Sequence, residues 1–415
     1  MYSVTDFYID GEEEANKAGT VTINPIGSSW DFITFPLLCE IGFAARPDQT
    51  AKFTKVEVAN YRVPNRLLFA TTPEYREQWA PFLKSNHITY RDGSFEIKGN
   101  DSGAFITADI RRKSMPMLRT TFQPNGSAIA KARLYITSRG VYEVYMNGKR
   151  IGEDYFNPGL TQYNKHHMYQ TYDVTDHLQP GNNAMGVIMW NLFGDRQSLL
   201  SMLVITYTDG TEETVVSNPE SWHYYDKGPV VYSSFFQGEV YDARKESLTE
   251  GWSESEYDAS AWKKAVEINP ERAIVRDKAI EQNRMPVVND FSDLKLIGQQ
   301  GQTVKKIGEL VAIAMEEVRP GVFVYDMGQN MVGIPHIELA GMPSGKEIKL
   351  RYAEVKYPDL PEFKENVGMI MLENIRGAMA QDTYITKGNK EVIQPRFTFH
   401  GYRYIEITGI DNPLP

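Results

Sequence analysis

At 415 residues the chain exceeds what one ordinary hydrophobic core serves, so two to three domains are expected. A formal charge of −10 argues against a nucleic-acid partner, which would demand a basic surface, and leaves neutral partners open. The single cysteine, Cys39, excludes an internal disulfide, and no apolar run is long enough for a transmembrane helix.

Residues 1–115 read as a first β-rich unit without a recognisable motif. Its acidic start, MYSVTDFYIDGEEE, lacks the apolar core of a secretory signal. Tyr75 to Leu83 is a short helical candidate. A second unit is expected over 116–268. There Ala132 to Thr137 and Val141 to Met146 alternate as strands around a turn at Ser138-Arg139-Gly140. Asn147-Gly148 follows directly, the strongest short hairpin signal, and Asp209-Gly210 marks another hairpin. Pro180-Gly181-Asn182-Asn183 reverses the chain into the apolar run Ala184 to Met189, suited to a central strand. His166 and His167, as neighbours in a strand, should point to opposite faces.

A charged linker is expected over 267 to 285, and a third unit over 285–410. In the third, Asp326 and Gln329 stand in a turn between two strands. His400, flanked by aromatics, reads as a structural histidine. Glu362 to Ile375 is a second helical candidate. Carboxylates such as Glu354, Glu365 and Asp382 are plentiful, but no spacing marks a catalytic pair. No GxSxG elbow, HExxH or P-loop occurs. Short strands separated by turn residues, with little helical periodicity, point to an all-β protein of several sandwiches.

One loop has the chemistry of a sugar contact, an aromatic face beside amide and charged groups: Trp190-Asn-Leu-Phe-Gly-Asp-Arg196. Trp190, Asn191, Asp195 and Arg196 are its candidate residues. Asp154, Asn157, Asp173, Asp176 and Asp242 offer oxygen ligands of the kind calcium prefers, but none falls in an EF-hand loop and their spacing carries no metal signal.

The second unit contains Tyr142-Glu-Val-Tyr-Met-Asn-Gly-Lys-Arg-Ile-Gly152, then Asn157-Pro-Gly-Leu-Thr-Gln-Tyr163 and Tyr169-Gln-Thr-Tyr-Asp-Val-Thr175. Pro180-Gly-Asn-Asn-Ala-Met-Gly-Val187 and Tyr241-Asp-Ala-Arg244 follow. The third contains Val324 to Gly333 (VYDMGQNMVG), Leu350-Arg-Tyr-Ala-Glu-Val355 and Pro395 to Gly409 (PRFTFHGYRYIEITG). In this order the motifs resemble the β-domains of bacterial α-L-rhamnosidases, glycoside hydrolase family 78. The resemblance spans about two thirds of the chain. Trp190, Phe193 and Gly194 depart from the glycine-rich segment found there in related enzymes.

The resemblance implies three tandem β-sandwiches of jelly-roll, galactose-binding-like and concanavalin-like type. In the family, hydrolysis of terminal α-L-rhamnose is inverting, and both catalytic carboxyl groups come from a following (α/α)6 barrel. The chain is therefore expected to be inactive alone, to support its own C-terminal catalytic domain and to contact a rhamnose-containing glycan. No cofactor is required, although some members bind rhamnose through calcium. The alternative is a stand-alone carbohydrate-binding or assembly protein of the same ancestry. A soluble protein of the bacterial cytoplasm or periplasm is expected, with the choice between them open.

Overall fold

The computed structural model describes residues 3–8, 15, 17–23, 40–45, 49–60, 63–73, 79–82, 88–98, 104–109, 114–161, 165–190, 197–236, 238–268, 273–275, 287–289, 293–375 and 378–414. Alternation builds the first sandwich. In Ile129–Arg139, Ala132, Leu134 and Ile136 are buried while Arg133 between them is exposed. This strand pairs with Ser198–Tyr207 and His166–Asp173 in a five-stranded sheet, with Glu212–Val216 at one edge.

A six-stranded sheet packs against it. Its centre is Asn183–Trp190, between Val141–Met146 and Met117–Phe122. Every residue of Asn183–Trp190 is buried, as the apolar run predicts. Met185, Val187 and Met189 enter the core shared with Leu134 and Trp222. Ile188 and Trp190 enter a separate cluster on the opposite face, with Met117, Val230 and Phe397. The Asn147-Gly148 turn has φ of 49° and 81°, which is why this dipeptide closes the hairpin of Val141–Met146 with Lys149–Arg150.

The second sandwich is organised by a seven-stranded sheet. Its order is Val230–Ser234, Gly238–Asp242, Gln381–Ile385, Glu347–Ala353, His400–Thr408, Val322–Gly333 and Ala314–Arg319. One face carries Phe323, Ile348, Leu350, Tyr352, Tyr402 and Ile407, covered by the small pair Ile337–Leu339 and Glu391–Ile393.

Two exchanges cross the boundaries expected from sequence. The hairpin Val230–Asp242 lies within 116–268, yet Gly238–Asp242 runs parallel to Gln381–Ile385 in the second sandwich. Lys295–Gly298, from beyond the linker, runs parallel to His166–Asp173 and extends the first. The two sandwiches are interleaved, and the six-stranded sheet is covered on both faces.

Both helical candidates fail where they are described. Trp79–Phe82 is a strand paired with Ala104–Asp109, favoured by its aromatics and by Pro81, which a helix interior rejects. Within 362–375 the chain forms two 3-10 turns, Pro361–Phe363 and Glu373–Ile375, and the strand Ile370–Met371. Gly368, at φ 82°, interrupts any longer helix. Among the described residues, no helix is long and apolar enough to cross a membrane.

A polar cavity at the junction of the two sandwiches

Where the sandwiches meet, strand periodicity puts charge inside. Tyr142, Val144 and Met146 fill the first core, so Val141, Glu143 and Tyr145 face the other way, toward the second sandwich. Glu143 is only 7% exposed and meets Arg396, which arrives just before His400–Thr408. Arg396 Nε donates to Glu143 Oε2 at 3.0 Å, and Nη2 donates to the same oxygen and to Tyr145 Oη at 2.5 Å. Tyr145 donates to Glu143 Oε2 at 2.9 Å. Arg150, on the hairpin return, brings its Nε to 3.4 Å from Glu143 Oε1. Burial pushes the Glu143 carboxyl upward. The Arg396 and Arg150 guanidinium groups and the Tyr145 hydroxyl outweigh it and hold the carboxyl below its ordinary range.

A second carboxyl, Glu239, stands on the exchanged hairpin. It accepts the backbone N–H of Arg396 at 3.1 Å and that of Phe397 at 2.9 Å. Its own N–H donates to Asp382 Oδ1 at 2.7 Å. Burial pushes Glu239 up to about 8, with the adjacent Asp382 carboxylate adding to the shift against the backbone donors. Asp382 also accepts from Tyr352 Oη at 2.5 Å and lies 3.2 Å from His400 Nε2. The His400 imidazole stacks on the Tyr352 ring at 3.9 Å.

Glu239 gives a pH prediction. Its folded pKa is raised, so its contribution is fully present below the ordinary glutamate value and is lost as pH rises to about 8. Melting temperature should fall across that window. The fall should be shallower in Glu239→Gln, and parallel slopes in the two proteins would refute the assignment.

Glu143, Arg150, Glu239 and Asp382 border a cavity of about 330 Å³, together with Arg396 and the side chains of Tyr155, Tyr241 and Tyr384. Val392 and Gln394 also line it and are exposed, so it opens to solvent on that side.

Two family models cover the interleaved region. Residues 127–287 match the alpha-L-rhamnosidase N-terminal domain, and residues 316–414 match the bacterial alpha-L-rhamnosidase concanavalin-like domain. The chain belongs to the bacterial α-L-rhamnosidase family. It is similar to an alpha-L-rhamnosidase of Streptomyces avermitilis, 39% identical over 306 residues, which are 70% of this chain and 26% of that protein. The solved S. avermitilis enzyme, crystallised with L-rhamnose, superimposes with a TM-score of 0.60 at 37% identity, covering 73% of this chain and 28% of that one. The alpha-L-rhamnosidase of Dictyoglumus thermophilum gives 0.63 at 29% identity, covering 89% and 39%. The chain thus spans well under half the length of these rhamnosidases.

The residues singled out from sequence are not gathered at the cavity. Trp190 is 7% exposed and packs on Phe235 at 5.8 Å, so its ring belongs to the apolar cluster. Asn191, Asp195 and Arg196 lie outside the described residues. Asp154 accepts from Thr303 Oγ1 at 2.5 Å and faces Lys305 Nζ at 3.7 Å. Asn157 is buried and donates to Tyr172 Oη at 2.9 Å. Asp173 accepts from Thr175 N–H and Oγ1 at 3.1 and 2.6 Å, closing its own turn. Asp242 holds Arg244 through two bonds at 2.8 and 2.9 Å. Among the described residues, no group of three or more His, Cys, Asp or Glu is placed to hold a metal. The turn expected at Asp326 and Gln329 is instead an irregularity within the single strand Val322–Gly333, whose register shifts between Asp326 and Met331; Asp326 accepts Gly328 N–H there at 2.7 Å and pairs with Arg403. His166 is exposed and His167 buried, on opposite faces.

Sequence reasoning missed Glu143, Glu239 and Arg396. The one available signal was Glu143 itself, a charged residue sharing a strand face with Val141 and Tyr145.

Proposed function

We propose that this chain is the non-catalytic β-domain portion of an α-L-rhamnosidase, which supports a catalytic helical barrel and contacts rhamnose-containing glycan. The intact enzyme would release terminal α-L-rhamnose with inversion. The observation that carries the reading is the fate of the junction carboxyl groups. Glycoside hydrolysis needs one carboxyl free to protonate the leaving oxygen and a second, across the bond, free to activate water. Here one Glu143 oxygen, Oε2, is committed to Arg396 and Tyr145. The Glu239 oxygens meet the N–H groups of Arg396 and Phe397. Asp382 is taken by Glu239 N–H, Tyr352 and His400. Such a network locks strands together, so each of the three carboxyl groups spends hydrogen-bonding capacity on the frame.

The test is an assay of this chain with an aryl α-L-rhamnoside. No release of L-rhamnose above the uncatalysed rate is expected. Turnover that survives purification and is lost in Glu239→Gln would overturn the reading.

A further inference from the structure

We propose that the junction cavity is a binding site for one neutral pyranose ring, held by hydroxyl contacts to Glu143 and Gln394 and by Tyr155. This rests on the carbohydrate contact proposed above and gives it an address away from the Trp190 loop. Size is the first argument. About 330 Å³ is at the lower end of small-molecule sites, roughly 300–1,000 Å³, so the space suits one ring and not a longer glycan.

Charge is the second. The Arg150 and Arg396 cations are matched by the Glu143 and Asp382 carboxylates, and burial keeps Glu239 toward its neutral form. An ionic ligand would bring an unmatched charge into this space. A sugar hydroxyl both donates and accepts, and can serve a carboxylate and an amide together.

Unused hydrogen-bonding capacity is the third. Glu143 is more than nine-tenths buried, yet its Oε1 has only the 3.4 Å approach of Arg150 Nε. That Nε is itself buried and makes no hydrogen bond. Glu143 Oε1 therefore keeps accepting capacity beside the cavity, while the buried Arg150 Nε is closed to a ligand. Tyr155, with Arg150 5.2 Å above its ring, supplies an aromatic surface for the C–H face of a pyranose.

Titration calorimetry of the full chain with L-rhamnose, D-mannose and D-glucuronate tests this. Millimolar or tighter binding of a neutral sugar is expected, with no advantage for the uronate. Gln394→Ala and Tyr155→Ala, at the wall but outside the ion-pair network, should each weaken it about tenfold. Unchanged affinity in both variants would overturn the cavity site while leaving carbohydrate contact standing. Absence of binding by any neutral sugar would overturn both. Preference for the uronate would overturn the charge argument and the proposal with it. Should a variant melt well below the parent, a crystal of the parent soaked in L-rhamnose decides: density in the cavity supports the site, and density elsewhere overturns it.

Discussion

Arg396→Ala should lower the unfolding free energy by about 3 kcal/mol, the lower end of the cost of breaking a buried ion pair. The lower end applies because the Arg396 side chain keeps 29% of its surface accessible, whereas Glu143 keeps 7%. The loss comes mainly from what remains behind. Glu143 would stay inside with only Tyr145 and the distant Arg150 Nε to meet its charge. Its carboxyl, now held low, should shift upward, and the variant should gain stability as pH falls into the range where Glu143 takes a proton. Arg396→Met combined with Glu143→Leu should recover most of the loss, because an apolar pair carries no desolvation cost. Urea unfolding of the single and double variants measures this. If Arg396→Ala costs less than about 1 kcal/mol, the pair behaves as an exposed one and the junction is not held by it.

Gly238→Ala should be similarly damaging for a different reason. Gly238 opens the exchanged strand at φ 99°, where L side chains are strained. A Cβ built there would lie 2.0 Å from the Gln381 carbonyl oxygen and 2.8 Å from Asp382 Oδ1. The backbone carbonyl belongs to the neighbouring strand and has nowhere to retreat. Overpacking costs about 1–3 kcal/mol and left-handed strain about 1–2 kcal/mol, so a total of about 2–5 kcal/mol is expected. Gly210→Ala separates the two contributions. Gly210 has φ 83° with nothing within 4 Å of its missing Cβ, so only the strain should appear. Equal losses at the two glycines would mean that the close approach at Gly238 is not a constraint.

What could be read from the sequence was what neighbouring residues decide. Asn147-Gly148 announces its hairpin because both φ values must be positive. The run into Met189 announces a strand covered on both faces because nothing polar interrupts it. The order of the motifs was enough to identify the family. What could not be read depends on distant pairing. Glu143 and Arg396 stand 253 residues apart, and no local pattern links them. The Val230–Asp242 hairpin carries no mark of which sheet it joins, because a parallel partner is chosen by topology. Trp190 shows the limit of composition: beside Asn, Asp and Arg its ring suggests a sugar platform, yet strand alternation turns it inward onto Phe235. The helical candidates gave way to strands and 3-10 turns because their periodicity was short and broken by Pro81 and Gly368.

The account depends on the two sandwiches acting as one frame, joined by an exchanged hairpin and a buried ion-pair network. Native-state hydrogen exchange at rising denaturant tests this most directly, through amides of Ile129–Arg139 in the first sandwich and His400–Thr408 in the second. Both strands should lose protection at the same denaturant concentration, with Val230–Ser234 following them. Loss of one strand's protection while the other stays fully protected would contradict the account, making the sandwiches independent and the junction a mere contact.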